Sequence, residues 1–154
     1  MPSDLNALST IQFAVEHLEV EHIFVVGHYG CAGVRAAMRG VREGLADNWL
    51  RHVHDVPLRH RKRLDHLPAE QQEDVLCEMN VIEQVGHVAL STVLQDAWAR
   101  GQSVAVHGWV YGLRDGLLKD LDVTMDNPAT VVEVYANAFK RYPRAADAAP
   151  DASP

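Results

Sequence analysis

The stretch from His22 to Met38 constrains the fold of this chain more than any other. It opens with a short apolar run over residues 22–26 that is rich in β-branched side chains. Such a run is typical of a strand buried on both faces of a sheet. A turn containing three glycines and then an alanine-rich segment follow, which predicts a direct passage from strand to helix. The stretch therefore favours an α/β fold.

Two side chains that can bind metal, His28 and Cys31, lie in this turn with two residues between them. Ligands of open α/β sheets collect at the carboxyl ends of strands, where the turn is expected. The first N–H groups of the following helix favour a thiolate at Cys31, and imidazole plus thiolate is a ligand pair that suits zinc. The spacing taken alone leaves a second interpretation open, in which the cysteine is buried and the histidine is a partly exposed turn residue.

The wider run VEHIFVVGHYGCAGVRAAM resembles the second zinc-ligand motif of the β-class carbonic anhydrases, particularly the bacterial ones. Four further blocks occur in the family's order: LSTIQFAVEHL, LADNWLRHVHDV, LCEMNVIEQVGHV and VAVHGWVYGLRDGLLKDLDV. The resemblance covers the chain from about Leu5 to about Val123, and the chain is identified as a member of this family. The resemblance implies a partial β-carbonic-anhydrase fold, a mostly parallel sheet flanked by helices with a terminal antiparallel edge strand.

The implied activity is the reversible hydration of carbon dioxide to bicarbonate and a proton, with Zn²⁺ held by two cysteines and one histidine. Of these ligands the sequence matches His28 and Cys31. The family's first motif, Cys-x-Asp-x-Arg, supplies the other thiolate and an Asp–Arg dyad, and it does not occur in these 154 residues. We therefore assign no catalytic residue and expect the N-terminal segment with that motif to be lacking. The strand at 22–26 is then expected to be an apolar edge that depends on a partner.

Some bacterial members hold a non-catalytic bicarbonate with a Trp, an Arg and a Tyr, and the run Trp-x-Tyr places Tyr111 at that tyrosine. The other interpretation of Tyr111 is an aromatic side chain at the end of a strand. By resemblance the chain is expected to form a homodimer or a higher homo-oligomer.

Three functions remain open at this stage: a carbonic anhydrase, a non-catalytic relative kept as a binding or assembly subunit, and a relative acting on a carbon–sulfur analogue of carbon dioxide. Nucleotide binding at the turn is less favoured. The turn has no Gly-x-Gly-x-x-Gly, and no acidic residue is placed to bind a ribose.

Composition excludes several other classes of protein. A formal net charge of -7 argues against a general nucleic-acid binder, and the basic run at 59–63 is interpreted as a solvated face or an interface rim. Two cysteines do not make a disulfide framework, so we expect a cytoplasmic location. The sequence contains no apolar run of membrane-spanning length, and its first residues do not form a signal peptide.

The remaining pattern predicts one domain over residues 1–142 and a disordered tail over 143–154, rich in Ala, Pro and Asp. In the first half of the chain we predict a helix that is capped by Ser3 or Asp4 and runs to about His17, a second helix that ends near Gly40, and a break or kink at Pro57. In the second half we predict one helix over 69–100, a buried strand over 103–110, an antiparallel edge strand in LLKDLDVTM, and a last helix after Asn127-Pro128. Cys77 lies among apolar neighbours in the long helix and is interpreted as a small core residue rather than a replacement thiolate.

Overall fold

A computed structural model describes residues 4–42 and 44–144 of the chain. The elements are α1 Leu5–Glu16, β1 His22–His28, α2 Ala32–Arg39, α3 Asp47–Leu64, α4 Ala69–Ala89, α5 Thr92–Ala99, β2 Ala105–Tyr111, β3 Leu118–Met125 and α6 Val131–Ala138. Within these residues no helix combines the length and the hydropathy needed to cross a bilayer. The predicted tail falls almost entirely outside the described residues, so its disorder stays a prediction.

The three strands form one sheet in the order β1-β2-β3. β1 and β2 are parallel, in a register that runs from His22 opposite Ala105 to His28 opposite Tyr111. β3 pairs antiparallel with β2. The α/β class and the terminal antiparallel edge strand are confirmed.

Several helix ends lie where the sequence places them. The carboxylate of Asp4 accepts hydrogen bonds from the backbone N–H groups of Asn6 and Ala7, so this residue caps α1. α2 ends at Gly40, whose φ of 64° is the left-handed conformation that glycine adopts without strain. The side chain of Asn127 accepts from the N–H groups of Ala129 and Thr130 just before α6.

One helix prediction is wrong. The single helix over 69–100 is two helices, because Ser91 caps the second of them by accepting a hydrogen bond from the N–H of Leu94. At Pro57, where the sequence predicts a break or a kink, α3 does not break, and the kink stays a prediction. Buried side chains on both sides of the proline, including Val53 and Leu64, hold the two halves of α3 against the rest of the core.

α4 lies against the inner face of the sheet and contacts all three strands. Val81 of α4 lies directly over two strand glycines. A Cβ built on Gly27 would be 2.5 Å from one methyl group of Val81, and a Cβ built on Gly108 would be 3.3 Å from the second methyl group of Val81. The two glycines therefore set how closely α4 approaches the sheet. The side chains buried on this face of β2 and β3 include Val106, Val110, Leu121, Val123 and Met125.

The outer face of the sheet is open at β1, which corrects the prediction of a strand buried on both faces. Burial alternates along β1, and Phe24 and Val26 on the outer face are 48% and 50% exposed. The ring of Phe24 stacks on His107 of β2, with ring centroids 4.8 Å apart, and meets Trp109 edge-on. Burial of the outer face thus depends on what covers the sheet, which a strand's own sequence does not encode.

A buried glutamate of α4 connects the C-terminal part of the chain to the core by hydrogen bonds. Glu83 is 2% exposed and accepts hydrogen bonds from Arg59 at 3.0 Å, from Nε2 of His60 at 2.7 Å and from the hydroxyl of Tyr135 at 2.6 Å. The ring of His60 also stacks on Phe139. α3 and α6 are therefore joined through one carboxylate.

Candidate metal centre

The turn predicted to bind metal lies at the carboxyl end of the parallel strand pair. β1 ends at His28, and Cys31 is the N-cap residue of α2. Between them Gly30 has a φ of 69°, a left-handed conformation that lets the chain reverse direction within two residues. The two predicted ligands thus lie on either side of a tight turn, at the sheet edge where α/β folds bind ligands.

The imidazole of His28 is exposed, and its Nδ1 lies 3.1 Å from the backbone oxygen of Tyr29. A carbonyl oxygen only accepts hydrogen bonds, so Nδ1 is the donor in this contact, and in the neutral ring Nε2 then has the free lone pair. Histidines that bind metal commonly donate their second ring N–H to a carbonyl in this way, which fixes tautomer and ring orientation. His28 therefore presents a nitrogen that is ready to bind a metal ion.

Cys31 is partly buried and makes no capping hydrogen bond with its side chain. Its sulfur lies beside Gly33, 3.8 Å from the position that a Cβ would occupy there. A small residue at this point of α2 leaves room around the sulfur. The thiol is free to act as a ligand, since Cys31 is not in a disulfide.

Cys77 does not complete the site. It is 2% exposed, and burial raises the pKa of its thiol to about 12, against the opposing effect of a hydrogen bond with the backbone of Cys31. This agrees with the core interpretation of Cys77. Within residues 4–42 and 44–144, no three His, Cys, Asp or Glu side chains come together as a metal-binding group.

The donors present fit zinc in chemistry but not in number. Catalytic zinc sites normally use three protein ligands, whereas the described residues offer His28 and Cys31 at this turn. A third ligand would have to come from elsewhere.

Tyr111, the candidate bicarbonate residue, ends β2 directly opposite His28 in the sheet register. Its side chain is 36% exposed, and its backbone oxygen accepts a hydrogen bond from the N–H of Tyr29 at 3.1 Å. His28 and Tyr111, which are far apart in the sequence, are therefore neighbours in the folded chain. A role for Tyr111 in binding bicarbonate stays a prediction.

A cavity of about 550 Å³ opens beside the turn. Tyr29 and Gly30 line one side, and the charged side chains around it are Arg35, Glu70, Glu73, Asp74, Arg114 and Asp115. Nε of Arg35 donates to both carboxylate oxygens of Glu73, at 3.0 and 3.2 Å, which ties α2 to α4. Carboxylates outnumber arginines in the walls of this cavity, so the charges of the lining residues do not favour binding of an anion.

Sequence reasoning missed a second buried carboxylate, which lies directly behind the turn. Glu78 is 7% exposed and accepts hydrogen bonds from the hydroxyl of Tyr29 at 2.5 Å, from Nζ of Lys119 at 2.6 Å and from the hydroxyl of Tyr142. Burial alone would raise the pKa of Glu78, but these donors outweigh it and hold the pKa below its usual value. The signal available in the sequence was a lone acidic residue within the apolar run VLCEMNVI.

Comparison with known proteins gives consistent matches. A family model described as carbonic anhydrase matches residues 1–118. A carbonic anhydrase of Emericella nidulans is 41% identical over 132 residues, which are 85% of this chain and 57% of that protein. The mitochondrial beta carbonic anhydrase 6 of Arabidopsis thaliana is 28% identical over 130 residues, which cover 81% of this chain and 44% of that protein. The chain thus spans about half the length of the curated relatives it matches.

Solved structures agree with the sequence matches. The Coccomyxa beta-carbonic anhydrase in complex with acetazolamide superposes with a TM-score of 0.81 at 32% identity, covering 91% of this chain and 66% of that chain. One of two tetrameric beta-carbonic anhydrases from Sordaria macrospora gives a TM-score of 0.74 at 29% identity, covering 81% of this chain and 64% of that chain.

Proposed function

The chain belongs to the β-carbonic anhydrase family, and on that premise we propose that it contributes His28 and Cys31 to a zinc centre. The proposed reaction of that centre is the reversible hydration of carbon dioxide to bicarbonate and a proton.

The observation that carries this proposal is the state of His28. Its Nδ1–H donates to the Tyr29 carbonyl, so Nε2 is available as a ligand just across a tight turn from the free thiol of Cys31. The donor pair and its position at the sheet edge both suit zinc.

The residues of the chain supply binding and orientation in this proposal. His28 and Cys31 would hold the ion together with a third ligand from outside the described residues, and zinc in such sites acts as a Lewis acid toward water. Tyr111 is the proposed contact for bicarbonate, because it lies opposite His28 and its hydroxyl-bearing ring is partly exposed. A reducing cytoplasm remains the proposed location, from cysteine usage alone.

The proposal is tested by stopped-flow measurement of carbon dioxide hydration with and without added zinc. With a third ligand supplied from outside the described residues, we expect zinc-dependent hydration that is lost in His28→Ala and retained in His87→Ala, a matched change of a half-buried histidine on α4. Equal zinc-dependent rates in wild type and His28→Ala would overturn it.

The second candidate is a non-catalytic subunit that binds or assembles with another copy of the chain. Two donors instead of three favour it, as does the open sheet face with half-exposed Phe24 and Val26. On the same face the indole Nε1 of Trp109 is buried, with no hydrogen-bond partner among the described residues. The tetrameric Sordaria relative supports a homo-oligomer.

Light scattering combined with the hydration assay separates the two candidates. A homodimer or larger species without zinc-dependent hydration would favour the assembly subunit, and we expect Val26→Lys to dissociate that species. A monomer whose sheet face tolerates Val26→Lys without change would contradict the assembly role.

A further inference from the structure

Tyr29 lies between the two proposed zinc ligands and is fixed at both ends. Its backbone N–H donates to the carbonyl oxygen of Tyr111 at 3.1 Å, which ties the turn to β2. Its hydroxyl donates to the carboxylate of Glu78 at 2.5 Å, which ties the same residue to α4. The residue that separates His28 from Gly30 and Cys31 is therefore held by two separate elements of the fold.

The carboxylate at the far end of this contact is itself held rigidly. Nζ of Lys119 on β3 lies 2.6 Å from Oε1 of Glu78, the oxygen that also accepts from Tyr29. The hydroxyl of Tyr142, beyond α6, donates to the other oxygen. Three donors from three parts of the chain converge on this one buried side chain. A buried carboxylate with its acceptor sites filled in this way has little freedom to move.

We propose that Glu78 is a positioning residue that holds the His28–Cys31 turn in its ligand geometry through the hydroxyl of Tyr29. This inference deepens the proposed function and rests on it. The turn needs such support, because Gly30 lies in a left-handed conformation and contacts nothing at its Cβ position. The carbonyl of Tyr29 is the outer-shell hydrogen-bond partner of the His28 ring, so Glu78 acts on the ligand through Tyr29. Loss of outer-shell support commonly weakens metal binding by roughly 10–100-fold.

The same carboxylate joins the turn to the C-terminal part of the chain. Tyr142 follows α6, and Arg63 of α3 donates to the backbone oxygens of both Phe139 and Tyr142. A displacement of this segment would therefore move Glu78 and, through Glu78, the hydroxyl of Tyr29. Glu78 is therefore the point at which the turn, β3 and the C-terminal segment meet.

The test compares Tyr29→Phe with Tyr135→Phe. Each variant loses one hydroxyl that donates to a buried glutamate of α4, at 2.5 Å to Glu78 and at 2.6 Å to Glu83. Only the first of these glutamates lies behind the turn. Glu78→Gln is the complementary change, and Tyr29→Phe keeps the proposal testable if that variant does not fold.

Two readouts are measured on the full chain: amide hydrogen exchange over residues 28–33 without metal, and zinc affinity by competition with a chelator. We expect Tyr29→Phe to speed exchange in the turn roughly tenfold, since a hydrogen bond to a charged group is lost. We expect zinc affinity to fall roughly 10–100-fold. Tyr135→Phe is expected to leave both readouts unchanged while lowering the melting temperature similarly.

Equal exchange of the turn amides in the two tyrosine variants would overturn the positioning role. Failure of the wild-type chain to bind zinc would overturn the proposed function instead. The exchange data would still decide whether Glu78 holds the turn, so the two failures are distinguishable.

Discussion

His28 and Tyr111 occupy the same register position of the parallel strand pair β1–β2, so the proposed zinc ligand and the candidate bicarbonate residue lie side by side. Neighbouring strands are about 4.8 Å apart. Both residues also project from the outer face of the sheet, because alternate residues of a strand share a face. A small anion bound near Tyr111 would therefore be close to the metal-binding turn.

Bicarbonate binding tests the role of Tyr111. We expect Tyr111→Phe to weaken bicarbonate binding about tenfold, since a hydrogen bond to a charged ligand is lost. The free energy of unfolding should change by less than about 0.5 kcal/mol, because the side chain is partly exposed. Isothermal titration and urea denaturation measure the two quantities. An unchanged affinity would leave Tyr111 as a strand-end aromatic residue.

Gly27 is predicted to be intolerant of a side chain. A Cβ there would lie 2.5 Å from Val81, a β-branched residue with little rotamer freedom in a helix, so α4 would have to move away from β1. We expect Gly27→Ala to lower the free energy of unfolding by roughly 1–3 kcal/mol. Gly33→Ala is the control, since its Cβ would meet a flexible leucine side chain at 3.2 Å. Equal stability of the two variants in urea would contradict the close approach of α4.

The stability of the chain is predicted to fall in acid because of its buried glutamates. Burial raises the pKa of Glu83, but hydrogen bonds from His60 and Tyr135 and the charge of Arg59 hold it below the ordinary value of 4.5. A group whose pKa is lower in the folded state stabilises the fold fully above its unfolded-state pKa. That contribution is lost as the pH falls through the folded-state pKa.

Glu83→Gln should therefore lower the free energy of unfolding by roughly 1.5–3 kcal/mol at neutral pH. The difference from wild type should shrink in acid. Glu73→Gln, which breaks a partly exposed pair with Arg35, is expected to cost less than about 1 kcal/mol. Urea denaturation across the acid range measures these effects, and a difference that is independent of pH would contradict the ionised state of Glu83.

The two thiols are predicted to differ sharply in reactivity. Cys31 is partly exposed, whereas Cys77 is 2% exposed and the pKa of its thiol is raised to about 12 by burial. Iodoacetamide should therefore modify Cys31 in the folded chain and reach Cys77 only in urea. Mass spectrometry of the alkylated peptides reports each site. Comparable modification of Cys77 in the native chain would contradict its place in the core.

The sequence predicted the elements whose signals are local. The cap at Asp4, the stop at Gly40 and the alternation along β3 all depend on residues within a few positions. The sequence did not predict the break between α4 and α5, because the apolar pattern continues across Ser91. The break is marked instead by the capping hydrogen bond that Ser91 makes in the folded chain. At Pro57 the sequence left a break and a kink open, and the break does not occur because packing with other elements overrides a local signal.

The candidate site was predictable only in part. His28 and Cys31 lie in one short motif, so the sequence and its resemblance to a family could identify them. The support behind them could not be found in this way. Tyr29 and Glu78 are 49 positions apart, Tyr142 lies 64 positions beyond Glu78, and each partner is an ordinary residue by itself. Contacts of this range depend on the folded arrangement of α4, β3 and the C-terminal segment.

Zinc titration against a competing chelator tests the central claim most directly, with wild type, His28→Ala, Cys31→Ala and the control His87→Ala compared. We expect the wild-type chain to bind zinc through these two residues and a third ligand from outside the described residues, with an affinity at least roughly tenfold lower in each ligand variant and unchanged in the control. With cadmium in place of zinc, the thiolate-to-metal absorption band should disappear in Cys31→Ala. The band should persist in every other stable variant that still binds the ion. Equal zinc affinity in wild type, His28→Ala and Cys31→Ala would contradict the account.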